Sequence, residues 1–187
     1  MRVKSRWNVK GKDRAPEEVA GALAFIAWRI AGNTVLNLEN EDYQTETQAQ
    51  RLDIIAEVLA FLVHLVDRLA YGKIDESDRP RYIGTLGLRL ADIMHDNRID
   101  AEGPGEYRNA FIDLVNERMD AYAELPFADG EPGFGMRRYL GDRVAEAMGP
   151  KHNKWITQQV MDIEVPEALE TLRKGLRNLL PEAATAD

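Results

Sequence analysis

The chain has 187 residues, a formal net charge of −8 and no cysteine. Its 44% hydrophobic and 30% charged residues are typical of a globular protein of one domain. The lack of cysteine excludes disulfides, zinc–thiolate sites, iron–sulfur clusters and cysteine nucleophiles. It also agrees with the environment that we expect for this chain, the cytoplasm of a bacterial-type cell.

The first 14 residues form a basic segment on an otherwise acidic chain. Val3, Trp7 and Val9 alternate with charged or polar residues, which predicts a short extended arm over residues 2–10. Cationic groups together with Trp7 suggest nucleic-acid binding through this arm. The acidic remainder disfavours such binding, so we expect the arm to pack on the body and do not expect nucleic acid as a partner.

Apolar residues recur at helical spacing along most of the remaining chain, which predicts an all-α helical bundle. Four long helices are predicted over residues 16–40, 46–71, 78–98 and 105–124. Shorter helices are predicted over 136–148, from 151 or 153 to 162, and over 166–180. We therefore expect a single domain with a bundle core at 15–125, a loop and shorter helices at 126–180 and a frayed tail at 181–187.

Local signals mark the ends of the second and third helices. Thr45 or Thr47 is placed to cap the start of the second helix, and Gly72 to end it. Asp78 is a candidate N-cap for the third helix, with Pro80 in its first turn. Leucines on one face of the last helix predict that it docks on the body.

The second helix contains the longest apolar run of the chain, from Val58 to Val66, and His64 is its only polar residue. A helix that is apolar on every side is normally central to its fold. Because Glu57 and Asp67 bound the run, it is too short to span a bilayer. We expect no transmembrane stretch and no membrane partner. His64 is predicted to be a core histidine bonded to a backbone carbonyl or a carboxylate.

Imidazole and carboxylate groups also raise the alternative of a metal site. The candidate ligands, on the second and third helices, are His64, Asp67, Asp92 and His95. A di-iron bundle requires paired Glu-x-x-His motifs, whereas this chain has Asp92-x-x-His95 once and no second copy. Asp92 and His95 are expected to face solvent, opposite the apolar face of their helix. No cofactor is therefore predicted, and a divalent metal remains the alternative.

A basic cluster in the C-terminal third is the candidate anion site. Its members are Arg137, Arg138, Lys151, His152, Lys154 and Trp155. The glycine-rich loop before residue 136 places a helix N-terminus nearby, where free amides bind anions. No Lys-Ser or Lys-Thr follows the glycines, so the loop is not a P-loop. The other interpretation is a connector whose arginines pair with the acidic body.

These observations favour a binding or interaction function over catalysis. The chain lacks a Gly-x-Ser-x-Gly motif and has no cysteine for nucleophilic chemistry. Long apolar helix faces predict self-association, with a homodimer as the expected form. The alternative is a metal- or anion-dependent enzyme. It would use His64, Asp92 and His95, or Arg137, Arg138 and His152.

Overall fold

The computed structural model describes residues 15–151 and 154–180. The predicted arm, His152 and the predicted tail lie outside these residues. The described chain is mostly helical, which confirms the all-α prediction. Its elements are α1 (Pro16–Asn40), α2 (Gln48–Ala70), α3 (Arg79–Glu102), α4 (Tyr107–Ala123), β1 (Phe127–Ala128), β2 (Glu131–Pro132), α5 (Phe134–Met148), α6 (Ile156–Gln159), a π-helical segment (Val160–Glu164) and α7 (Val165–Leu179).

Helix α2 occupies the centre, as its apolar run predicts. Every residue from Ile54 to Val66 is buried, and α1, α3, α4 and α5 all pack against this helix. An ion pair between Glu17 and Arg81 joins the first turns of α1 and α3, which therefore run in the same direction. The helix at the centre of the fold is thus the one that has no polar face to expose to water.

The ends of α2 follow their sequence signals. The Thr47 hydroxyl accepts a hydrogen bond from the Gln50 amide at 3.0 Å, and this bond caps the helix. Gly72 has a φ of +71°, in the left-handed region that favours glycine just beyond a helix. Asp78 precedes α3 as expected, but its side chain forms no capping bond with the described residues. A turn provides an acceptor instead, because the Arg79 amide bonds the Asp75 carbonyl at 3.0 Å.

Helix α1 is more apolar than the sequence analysis recognised. By length and composition alone, Glu17–Asn40 could cross a membrane, with a mean hydropathy of 1.5. Half of its 18-residue apolar window is buried inside the fold. Helices that form the core of soluble proteins meet the same criterion, so this finding is weak evidence for a membrane. The other half of the window is not buried inside the fold.

Residues 126–135 contain a β-hairpin that we did not predict. Asp129 and Gly130 have φ values of +54° and +77°, which suit the two central positions of a type I′ turn. The Asp-Gly pair is the usual signal for such a turn, but each strand has only two residues and leaves no alternating pattern. Arg173 of α7 holds the hairpin, with Nη2 donating to the Gly130 carbonyl at 2.5 Å.

The C-terminal helices pack against α1. A Cβ at Gly175 of α7 would lie 2.8 Å from Ile26 Cδ1, so the glycine permits close approach of the two helices. Asn37, near the end of α1, donates to Glu164 at 3.2 Å, and α7 therefore runs antiparallel to α1. The apolar face predicted for the last helix is confirmed by its buried residues Leu169, Leu172, Leu176, Leu179 and Leu180.

Candidate functional site

A cleft opens over α2 between α3, α4 and α5. Its volume is about 390 Å³, within the range of small-molecule sites. Apolar side chains supply much of its surface, including Met94 from α3 and Phe111 and Leu114 from α4. Its charged lining residues are Asp53, Glu57, Arg98, Arg118, Arg143 and Glu146. The cleft thus combines apolar walls with three guanidinium groups and three carboxylates.

A buried ion pair between α2 and α4 lies in the lining of the cleft. Arg118 Nε and Nη2 each donate to one oxygen of Glu57, both at 2.8 Å. Only 8% of the Arg118 side chain and 10% of the Glu57 side chain are exposed. The hydrogen bonds to Glu57 raise the pKa of Arg118 far above its ordinary value. This bidentate geometry is the strongest form of an arginine–carboxylate contact, so we regard the pair as a fixed part of the site.

The other two arginines are held by more exposed acids. Arg143 Nη1 lies 2.6 Å from Glu146, and 66% of the Glu146 side chain is exposed. Arg98 pairs with Asp53 and, at 2.7 Å, with Glu102. Exposed ion pairs contribute only about 0–1 kcal/mol because water screens them. The contact of Arg143 with the exposed Glu146 can therefore be exchanged for a ligand at little cost.

An aromatic group connects the cleft to the core. The Arg143 guanidinium lies 5.5 Å from the Tyr139 ring centroid, and that ring meets Tyr122 edge-on at 5.2 Å. Tyr122 also contacts Phe61 and His64, each at 5.4 Å between ring centroids. The Tyr122 hydroxyl is buried without a hydrogen-bond partner among the described residues. Burial raises the pKa of Tyr122 well above its ordinary value, so the phenol stays protonated.

His64 is buried as predicted, but its partner differs from the expected one. Only 2% of its surface is exposed, and Nε2 accepts a hydrogen bond from Arg68 Nε at 3.3 Å. Burial, with a contribution from the Arg68 charge, lowers the pKa of His64 to about 4. The imidazole is therefore neutral at pH 7, with its proton on Nδ1. Within the described chain, Nδ1 has no acceptor.

The structure does not bring the four candidate metal ligands together. No group of three or more His, Asp or Glu residues that could hold a metal ion occurs within residues 15–151 and 154–180. Asp67 pairs with Arg79 at 2.6 Å, and Asp92, exposed as expected, pairs with Arg108 at 2.7 Å. His95 is only partly exposed, contrary to the expectation of a solvent-facing side chain, because Tyr107 packs 6.2 Å from its ring.

The described residues of the predicted basic cluster differ in their contacts. Arg138 lies 3.6 Å from Asp142 on the same helix, and Lys151 bonds Glu46 at 2.8 Å. Lys154 lies 5.7 Å from the ring of Trp155, which is 67% exposed. Arg137 Nε is buried without a partner in the described part of the chain. His152 is not among the described residues.

The cleft was not predicted from the sequence because its arginines come from three helices. Arg98, Arg118 and Arg143 are far apart in the chain, and none belongs to a recognised motif. One signal was present, since Arg118 falls on the apolar face of its helix, where an unpaired charge would be costly. Comparison with family models, curated proteins and solved structures found no match.

Proposed function

We propose that this chain is a binding protein, and that its ligand is a small organic anion with an apolar body. The proposal rests on the position of Arg143 in the lining of the cleft. Among the described residues, the exposed carboxylate of Glu146 is the only acceptor for its guanidinium. Arginine has five N–H donors in a planar fork. A ligand carboxylate or phosphate can take the place of Glu146 and engage two of those donors.

The walls of the cleft support an apolar body on the ligand. Phe111, Leu114 and Met94 supply surface that a ring or short alkyl chain can cover. Burial of apolar surface contributes roughly 25 cal/mol per Å². The anionic group fixes the orientation and the apolar body adds affinity, which is the usual division of roles in small-molecule sites.

The contacts made by the acidic residues that line the cleft favour binding over catalysis. Asp53, Glu57 and Glu146 are each engaged by an arginine. A carboxylate whose oxygens already accept hydrogen bonds from a guanidinium has fewer lone pairs left to accept a proton from a substrate. No histidine lines the cleft in the part of the chain that the structure describes. The same groups are well suited to holding an anion without reacting with it.

Thermal unfolding with a matched set of probes tests the proposal. Phenyl phosphate and benzoate carry an anionic group and a ring, whereas benzyl alcohol and benzylamine keep the ring without the negative charge. A ligand at 100 times its Kd stabilises the native state by about 2.7 kcal/mol. We expect the two anions to raise the Tm of the wild type. Benzyl alcohol and benzylamine should leave it unchanged.

Two variants on α5 locate the effect. Arg143→Gln should abolish the shift caused by the anions. Arg138→Gln, whose charge is exposed and lies outside the cleft lining, should retain it. Equal shifts in both variants would mean that the anions bind elsewhere, and equal shifts with all four probes would show that charge is not recognised. Either result would refute the proposal.

A further inference from the structure

The outward face of α1 is unusually poor in charge. From Val19 to Leu38, Arg29 is the only charged residue. The inner surfaces of α1 pack on α2, α3 and α7. On the remaining side, Phe25 is 61% exposed and Leu36 is 48% exposed. A helix face of this composition, contacting no other described element, suits a protein partner better than water.

Two glycines on this face are not required by any contact with the described part of the chain. A Cβ added at Gly21 or Gly32 would meet no described atom within 4 Å. Neither residue has a positive φ. Glycine inside a helix costs roughly 0.5–1 kcal/mol relative to alanine, so these positions lower the stability of α1 without any packing gain among the described residues. A small residue does allow a second helix to approach closely.

We propose that this face binds α1 of a second copy of the chain, in an antiparallel, two-fold symmetric contact. Glu18 and Arg29 fix the register, because both lie on the outward face and the described residues include no ion-pair partner for either. When Glu18 of one copy lies opposite Arg29 of the second copy, symmetry forms the same pair twice. Phe25 then falls between Gly21 and Ala22 of the second copy, where side chains are small.

The pattern of charges favours a second copy over a lipid surface. Helices that lie on membranes carry several Lys or Arg residues on their polar face. Here the outward face has one cation and one anion, which lie about three turns apart and so on the same side of the helix, and an antiparallel pair can match each with its opposite. The contact uses different residues from the cleft, so this proposal stands independently of the proposed ligand.

Charge reversal combined with sedimentation equilibrium tests the contact and its register. The wild-type chain should dimerise. Glu18→Arg and Arg29→Glu should each weaken the dimer about tenfold or more, because each replaces two attractive contacts with two repulsive ones. The double variant Glu18→Arg/Arg29→Glu should restore the wild-type dimerisation constant. Phe25→Glu should give a monomer, while Phe134→Glu on α5, which alters a residue that is also 62% exposed, should leave the dimer intact.

Three outcomes would overturn the proposal. The first is a monomer mass for the wild type at all concentrations. The second is a dimer that neither single charge reversal weakens, which would place the contact on another surface. The third is flotation of the wild type, but not of Phe25→Glu, with vesicles of phosphatidylcholine and phosphatidylglycerol, which would assign this face to lipid.

Discussion

At the scale of single residues, His64 is a buried titratable group whose charged form is disfavoured in the folded protein. Its ring is enclosed by the core and faces Tyr122, while Arg68 and Asp67 are the charged groups that influence it. Burial and Arg68 disfavour the imidazolium, whereas Asp67 opposes them. The net effect keeps the imidazole neutral in the folded state down to a pH of about 4.

This shift predicts a loss of stability on mild acidification. The pKa of His64 is about 4 in the folded protein against an ordinary value of 6.5, so between these values the unfolded chain binds a proton that the folded chain does not. The stability that depends on His64 therefore falls as the pH decreases from 6.5 towards 4. From pH 7 to pH 5 the contribution is about 2 kcal/mol.

Urea unfolding of the wild type and His64→Leu at pH 7 and pH 5 measures this contribution. The variant removes the titrating group while keeping a side chain of similar volume. The decrease in unfolding free energy between the two pH values should be smaller in His64→Leu by about 2 kcal/mol. If both proteins lose the same amount, the pH dependence comes from other groups.

At the scale of elements, the starts of α2 and α3 depend on different kinds of contact. The Thr47 side chain itself satisfies a free amide at the start of α2. In α3 the preceding turn provides a backbone acceptor, and the Asp78 side chain makes no capping bond in the described structure. Thr47 and Asp78 were both predicted to cap a helix, but of these two only the Thr47 side chain forms a capping hydrogen bond in the described structure.

Alanine substitutions at Thr47 and Asp78 test this difference between the two helix starts. Thr47→Ala should destabilise the protein by about 1 kcal/mol, since one amide at the helix start loses its acceptor. For a chain of this size, that corresponds to a decrease in Tm of about 2–4 °C. Asp78→Ala should change the Tm by much less. Calorimetry of both variants provides the comparison, and a larger loss for Asp78→Ala would contradict the capping assignment.

At the scale of the whole molecule, the Arg118–Glu57 pair joins the central helix to α4. Both side chains are almost fully buried, so water cannot solvate either charge if its partner is removed. Breaking a buried ion pair typically costs about 3–5 kcal/mol, whereas replacing both members with apolar residues is often nearly neutral. The pair therefore contributes less to stability than the cost of breaking it suggests.

The burial of this ion pair predicts that substitutions at Glu57 and Arg118 have strongly non-additive effects on the free energy of unfolding. Arg118→Met should destabilise the fold by about 3–5 kcal/mol because Glu57 is left buried and unpaired. The double variant Glu57→Met/Arg118→Met should recover most of that loss. Lys174→Met, which removes an exposed pair with Glu170, should have no measurable effect. Additive losses in the double variant, measured by urea unfolding, would show that the pair itself is strongly stabilising.

The sequence predicted the helical elements well because their signals are local. The apolar run around His64 identified the central helix, and Thr47 and Gly72 marked its ends. The hairpin at Asp129 and Gly130 was missed, since two-residue strands leave no periodic pattern.

The candidate site was not predictable in the same way. The cleft depends on how α3, α4 and α5 are arranged around α2, and Arg98, Arg118 and Arg143 have no fixed spacing in the chain. The partner of His64 also depends on burial, because a neutral imidazole offers an acceptor that the cationic form lacks. These features arise from packing between distant segments rather than from any single segment.

The central position of α2 also has a consequence for synthesis on the ribosome. This helix is made second, yet α5, one of the helices that cover it, is complete only at Met148. At about 5–20 residues per second, the stretch of about 80 residues from Ala70 to Met148 takes roughly 4–16 s to synthesise. During that interval the most apolar segment of the nascent chain lacks part of its final cover. A chaperone that binds exposed apolar helices should therefore capture chains truncated before α5 and release those that extend beyond it.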